Sequence, residues 1–182
     1  IQSNVLGSVQ LMQEMVAQGV RRIVFASSGG TVYGVPVEVP IREDHPTQPQ
    51  VSYGICKLMI EKYLGLFTQL HGLRPVSLRI ANPYGGRQRI DTAQGAVAVF
   101  LHRALHREPV EIWGAGSVVR DYLHVADVAN AISAALGYEG RHQVMNIGAG
   151  RGLSLNGLLD EIEALLGRKV DRRYLAGRGF DV

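Results

Sequence analysis

Arg22-Ile-Val-Phe-Ala-Ser-Ser-Gly-Gly-Thr-Val-Tyr-Gly34 opens as a short β-rich run, Arg22 to Ala26, and is bounded by a turn of small hydroxyl and glycine residues. Upstream, Val5, Val9, Met12 and Val16 recur at helical spacing within a helix read from Ser3 to Gln18, and Gly19 stands where a C-terminal cap belongs. Downstream, residues 36–49 read as a loop punctuated by Pro36, Pro40, Pro46 and Pro49. A long amphipathic helix is predicted from about Ser52 to Leu70, closed by Gly72, and a strand from Pro75 to Ala81. Helix, strand, long loop, helix, strand is the rhythm of a parallel sheet with crossover helices, so the chain is α/β.

After Asn82-Pro-Tyr-Gly85 the texture changes. A Gly/Arg-rich loop precedes a helix over about Ala93 to His106 and a strand at Val110-Glu-Ile-Trp113. Arg120 to Val125 reads as a strand, Asp127 to Leu136 as a helix and Val144 to Ile147 as a buried strand. Leu155 to Leu166 is a short amphipathic helix and Val170 to Leu175 a last strand. A domain change is expected near Gly86, giving residues 1–86 and 87–182, with elements around 120–148 returning to the main sheet. Gly148-Ala-Gly150-Arg-Gly152 has G-x-G-x-G spacing, not the dinucleotide G-x-G-x-x-G, and no acid closes a following strand about twenty positions on. It reads as a plain turn before a helix capped by Ser154.

The bulk numbers exclude several classes. The 182 residues are 46% hydrophobic and 19% charged, enough for a real core, and the net charge is only +3. No block of Lys and Arg suggests nucleic acid or a membrane surface, and no apolar run approaches the ~20 residues that span a bilayer. A lone Cys56 rules out an internal disulfide and fits a reducing compartment, so a cytoplasmic location is expected. Cys56, His45, His71 and His124 show no metal-ligand spacing. Ile1 is no initiator Met, and both ends fall abruptly, so the chain is expected to be a piece of a longer protein.

The chemistry centres on Tyr53-Gly-Ile-Cys-Lys57. An i,i+4 spacing places both side chains on one helix face. A free Tyr titrates near ~10, and a neighbouring cation favours its phenolate, bringing it toward the range of a general acid/base. Upstream lies the hydroxyl-rich turn at a strand's carboxyl end, where parallel α/β sheets hold their ligands. A Ser or Thr there can share the proton moving between substrate and Tyr53. That combination points to proton transfer at a carbinol, the partner step of a hydride transfer.

Tyr53-x-x-x-Lys57, Ser27-Ser-Gly-Gly-Thr-Val-Tyr-Gly34, Leu78-Arg-Ile-Ala-Asn-Pro-Tyr-Gly85 and Val119-Arg-Asp-Tyr-Leu-His-Val125 together resemble the extended short-chain dehydrogenase/reductase family, in its NAD-dependent epimerase/dehydratase branch of UDP-glucose 4-epimerase type. The resemblance runs from Asn4 to Val182. It implies the second half of a Rossmann-like doubly wound parallel sheet plus a smaller α/β substrate domain, without the amino-terminal Gly-rich portion of roughly 80–100 residues. It implies bound NAD, a nucleotide-sugar (UDP-sugar) substrate and a homodimer, and it implies that residues 1–182 alone lack turnover. In the family the two long helices pair across a two-fold axis, and Met12, Met15, Ile60 and Leu64 serve that seam here unless they face the chain's own sheet.

Carried over by position, Tyr53 is the acid/base and Lys57 binds the nicotinamide ribose while lowering the Tyr pKa. Asn4 matches a residue facing the cofactor, its other reading being a helix-capping role; Ala26 and Ser27 lie on the cofactor side, and Ala81 where the backbone passes the nicotinamide. The family's hydroxyl partner falls at Gly29 here, leaving Ser28, and after it Thr31, as substitutes. Asn82 matches a sugar-nucleotide contact and Arg120 a diphosphate ligand, the alternative being an ion pair with Asp121 or Asp127. Trp113 covers the uracil or simply packs, while Arg178 and Asp181 match a further Arg and a ribose-binding Asp. Related dehydratases carry acids in the turn before V-Y-G, where this chain has Gly30 and Thr31. Elimination therefore lacks its base, and the resemblance implies C4 epimerisation through a 4-keto sugar. A 4-keto-sugar reductase, another sugar-nucleotide epimerase or a non-catalytic binding fragment are the rival readings.

Overall fold

The computed structural model describes residues 2–90 and 95–177. The chain forms two units, one from residues 1–81 and 128–147, the other from 82–127 and 148–182.

In the first unit, β1 (Arg22–Ser28) pairs in parallel with β2 (Arg74–Ile80), and β2 pairs in parallel with β6 (Val144–Ile147). The central strand is buried from Pro75 through Ile80, as expected where both faces of a parallel sheet are covered. The register sets Ser27 beside Arg79 and Ser28 beside Ile80. β6 is half-buried rather than buried, as befits a strand paired on one side only.

The helices show how local sequence sets the ends. A π-helical turn, Gln2–Leu6, precedes α1 (Gly7–Ala17), where one continuous helix was expected from Ser3. Gly19, at φ +73°, lets Val20 N–H return to Met15 O at 2.8 Å. α2 (Ser52–His71) ends at Gly72, left-handed at φ +67°, whose N–H bonds Thr68 O at 3.0 Å. Val5, Met12, Cys56, Ile60, Leu64, Phe67 and Leu73 form the core between these helices and the sheet. Each such large side chain contributes about 1.5–3 kcal/mol by leaving water. Met12, Ile60 and Leu64 therefore face the chain's own interior and are not available to a seam, and Met15 packs against the same core. The apolar residues left outside are Leu11 on α1 and Ile55, Met59, Leu66 and Leu70 on α2.

In the second unit, β3 (Asn82–Tyr84) runs parallel to β5 (Val119–His124), which pairs antiparallel with β7 (Gly152–Ser154). β4 (Val110–Trp113) and β8 (Arg172–Leu175) form a separate parallel pair. α3 (Ala96–Leu105) and α5 (Leu155–Leu166) supply Phe100, Ala104, Leu158, Leu159 and Ile162 to a core with Val110, Ile112 and Val170. Ser154 caps α5, its Oγ accepting Gly157 N–H at 3.0 Å. α4 (Val125–Leu136) starts directly after β5, two residues before the expected start. From Val128 on, α4 belongs to the first unit, where the carbonyl of its last residue, Leu136, and that of Tyr138 accept from Arg22 Nη1 of β1.

Candidate active site

Tyr53 leaves the first turn of α2, and Lys57 follows one turn later on the same face. With Ser3, Asn4, Ser8, Phe25, Cys56 and Ile60 they line a recess of about 220 Å³. Lys57 Nζ donates to Ala26 O at 2.8 Å, tying the helix to the carboxyl end of β1. It lies 4.9 Å from the centroid of Phe25 and 5.5 Å from that of Tyr53. Burial pushes the Tyr53 phenol above its ordinary value and draws the Lys57 ammonium below its own. The sequence suggests that Lys57 pulls the Tyr53 pKa down. In this chain without a bound cofactor the direction is upward, the cause being lost solvation of the phenol, while Lys57 Nζ is bonded to Ala26 O. Asn4 is exposed in the π-helical turn, and its carbonyl accepts Ser8 Oγ at 2.6 Å.

The hydroxyl turn is ordered by its own bonds. Thr31 Oγ1 donates to Ser28 Oγ at 2.9 Å, so the two candidate hydroxyls act as a pair and Ser28 keeps its own proton to give. Gly29 N–H extends the sheet to Ile80 O at 2.8 Å. A Cβ at Gly34 would stand 2.1 Å from Gln48 O, and Gly34 has φ +72°, so that position requires glycine. One at Gly54, beside Tyr53, would meet Thr31 O at 2.5 Å; the turn and the start of α2 are in close contact.

Beneath the turn lies a buried polar cluster that the sequence reading missed. Ser27, assigned to the cofactor side, is buried and its Oγ donates to Glu61 Oε1 at 2.5 Å. Glu61 binds Arg79 through both oxygens, Oε2 to Nη2 at 2.7 Å and Oε1 to Nε at 3.1 Å, with side chains 5% and 6% exposed. Burial opposes the guanidinium charge, but the Glu61 carboxylate and the Tyr33 hydroxyl outweigh it and hold Arg79 above its ordinary pKa. Arg79 Nη1 also donates to Tyr33 Oη at 2.8 Å, and Tyr33 donates to Asn146 Oδ1 at 2.6 Å. Asn146 Nδ2 in turn donates to Ile41 O, and its backbone N–H donates to Glu43 Oε1, both at 2.9 Å. His45 stands edge-on to Tyr33, its Nε2 accepting Val37 N–H, which leaves the ring proton on Nδ1 for Pro46 O. The signal was present: Glu61 extends the Tyr53/Lys57 face by one more turn, and Arg79 is the one charge within the strand expected from Pro75 to Ala81.

The second unit holds a separate cleft of about 440 Å³. Asn82, Tyr84, Trp113, Arg120 and Tyr122 are among its lining residues, and so are Arg103 and Glu111. Asn82 Nδ2 donates to Asp121 O at 3.2 Å, and Arg120 Nη1 to Val119 O at 3.1 Å. Trp113 lines the cleft with 38% of its surface exposed. Tyr122, unassigned by sequence, has a buried hydroxyl without a hydrogen-bond partner among the described residues, and burial pushes its pKa up. A buried hydroxyl lining a cleft is suited to a polar ligand group. Ala81 N–H bonds Ile147 O at 2.9 Å in the first unit's sheet. Arg178 and Asp181 lie outside the described residues. Among the described residues no helix is long and apolar enough to cross a membrane, and no group of three or more His, Cys, Asp or Glu could hold a metal ion.

A parallel sheet whose strand ends meet a Tyr–Lys helix defines a Rossmann-like α/β protein of short-chain dehydrogenase type. The family model described as NAD dependent epimerase/dehydratase family matches residues 1–148, and the chain belongs to that family. It is 39% identical to an Escherichia coli dTDP-4-dehydro-6-deoxyglucose reductase over 92% of this chain and 52% of the relative. It is 37% identical to a putative UDP-glucose 4-epimerase of Methanocaldococcus jannaschii over 94% of this chain and 55% of the relative. The crystal structure of a Thermotoga maritima UDP-glucose 4-epimerase with UDP-glucose superposes with a TM-score of 0.95 at 38% identity, covering all of this chain and 59% of that one. The chain thus spans a little over half the length of the relatives it matches.

Proposed function

We propose that the protein carrying this chain is an NAD-dependent nucleotide-sugar 4-epimerase, with UDP-glucose and UDP-galactose as the leading pair. The observation that carries the reading is Tyr53 and Lys57 in one recess, beside a turn whose hydroxyls, Ser28 and Thr31, are hydrogen-bonded and which contains no acid. The recess donors, Asn4 and Lys57 among them, suit the ribose and amide groups of NAD, which when bound supplies a reversible hydride acceptor at the sugar carbinol. With NAD bound, its positive nicotinamide ring together with the Lys57 ammonium would favour the Tyr53 phenolate, which would take the C4 hydroxyl proton through Ser28, backed by Thr31, and return it after the sugar presents its other face. No carboxylate in the turn removes a C5 proton, so the carbon skeleton keeps its hydrogens.

In the second cleft, Arg120 offers a guanidinium fork for the diphosphate and Trp113 a ring face for the base, with Asn82 and Tyr122 for the sugar-nucleotide's polar groups. Arg178 and Asp181 complete the nucleotide side in this reading. The domains are assigned as 1–86 on the cofactor side and 87–182 on the substrate side, with β6 of the expected 120–148 return joining the main sheet and β5 pairing instead with β3 and β7. The protein is assigned to the cytoplasm. It is taken as a homodimer through the outer faces of α1 and α2, where Leu11, Ile55, Met59, Leu66 and Leu70 remain exposed.

A second reading, reduction of a 4-keto sugar nucleotide, is favoured by the E. coli reductase among the relatives. Proton NMR of the whole protein with NAD and UDP-galactose separates the two. Accumulation of UDP-glucose supports epimerisation. No conversion, with oxidation of added NADH by a dTDP-4-keto-6-deoxy sugar, replaces it with the reductase reading.

A further inference from the structure

Strand β5 presents successive residues to opposite sides. Arg120 and Tyr122 line the cleft. Asp121, between them, turns away, and its carboxylate accepts Ala149 N–H at 2.8 Å on Oδ1 and Gly150 N–H at 2.9 Å on Oδ2. Gly150 is left-handed, φ +74°, so two successive backbone amides converge on one point. Converging amides of this kind form an anion-binding nest, and the anion here is the chain's own carboxylate. The glycine-rich turn that invites a cofactor-loop reading is therefore already occupied.

The same residue is held from two more directions. Asp121 lies opposite Gly152 in the antiparallel β5–β7 pair, where a Cβ on Gly152 would come within 2.5 Å of Val119 Cγ1. Its carbonyl oxygen accepts Asn82 Nδ2 at 3.2 Å. One residue thus ties together the strand bearing Arg120 and Tyr122, the side chain of Asn82 and the turn behind them.

We propose that Asp121 is a positioning residue of the nucleotide cleft: seated in the amide nest of Ala149 and Gly150, it fixes the strand from which Arg120 and Tyr122 reach the ligand. This rests on reading the cleft as the sugar-nucleotide site. Without the carboxylate, the two amides lose charge-assisted partners and the turn no longer anchors the back of β5. Arg120 then keeps its charge but loses its fixed base.

The test uses the whole protein carrying this chain, with UDP as the probe. Calorimetry gives affinity, and ¹⁵N NMR follows the Ala149 and Gly150 amides in the wild type, Asp121→Asn and Asp121→Ala. Asp121→Ala is expected to weaken UDP binding on the order of tenfold and to speed exchange of both amides. Saturating acetate should restore both readouts, whereas acetamide at the same concentration should restore neither, a distinction that simple loss of fold would not produce. Asp121→Asn, which keeps shape and one acceptor, should fall between and carries the test if the alanine variant does not fold. Wild-type affinity in Asp121→Ala, or acetate without effect on amides and affinity alike, would overturn the proposal. No UDP binding by the wild type would remove the cleft reading and Asp121's role with it, while the amide response to acetate would still report on the nest by itself.

Discussion

Breaking the Glu61–Arg79 pair is the most exacting test of the first unit. The two side chains are 5% and 6% exposed and joined by two bonds, 2.7 and 3.1 Å, with Ser27, Tyr33 and Glu43 O completing the cluster. Glu61→Leu leaves a buried guanidinium without its counter-ion, and Arg79→Leu leaves a buried carboxylate. Each is expected to cost about 3–5 kcal/mol. In the double variant neither charge remains. The leucines fill much of the volume, and the losses reduce to the unpaired Ser27 hydroxyl and the Arg79 bonds to Tyr33 Oη and Glu43 O, about 1 kcal/mol apiece, Tyr33 keeping its bond to Asn146. The double variant should therefore be about as stable as either single one or more so, giving a coupling energy of at least about 3 kcal/mol. Urea unfolding of all four proteins, read from midpoints at constant slope, measures it. Additive losses, with coupling below about 0.5 kcal/mol, would refute the claim that the two charges compensate one another.

Glu163 makes a separate prediction about pH. Lys169, the Val170 N–H and Arg172 hold its carboxyl down to about 2 against burial, from an ordinary 4.5. A depressed carboxylate stabilises the fold fully above its unfolded value and loses that contribution as pH falls from 4.5 toward 2. Glu163→Gln should lower stability at neutral pH by about 1–3 kcal/mol and flatten this acid limb in a pH series of thermal melts; an unchanged limb would contradict it. Gly34→Ala should destabilise by more than about 1–2 kcal/mol, since the left-handed backbone penalty adds to the contact with Gln48 O, as measured by chemical denaturation. In the whole protein, Tyr53→Phe should cut kcat on the order of 10²–10⁴-fold with KM for the UDP-sugar nearly unchanged; a selective rise in KM would make Tyr53 a binding residue instead.

What the sequence made legible follows from how local each signal is. α2 was read within a residue because its apolar period is long and Gly72 marks its end, and β4 and α5 match for similar reasons. β3 and β7 are three residues each, too short to show alternation, and were missed. Helical spacing revealed that Met12, Ile60 and Leu64 share a face but not that the sheet lies against it; only burial decides between seam and core. Tyr53 and Lys57 were found because they sit four apart, whereas Tyr33 and Arg79 are 46 residues apart and meet through the parallel register that sets Ser27 beside Arg79. Asp121 was weighed as an ion-pair partner of Arg120. Its contact with the Gly148–Gly152 turn depends on antiparallel pairing with a strand the sequence did not reveal.

The central claim is internal return of hydrogen at C4 under the control of Tyr53. The most direct measurement is conversion of UDP-galactose deuterated at C4 by the whole protein with NAD in ordinary water. The account predicts UDP-glucose that keeps the deuterium at C4, with no solvent hydrogen entering carbon. Product that has lost the label to solvent, or labelled substrate left unconverted while a 4-keto sugar is reduced, would contradict it.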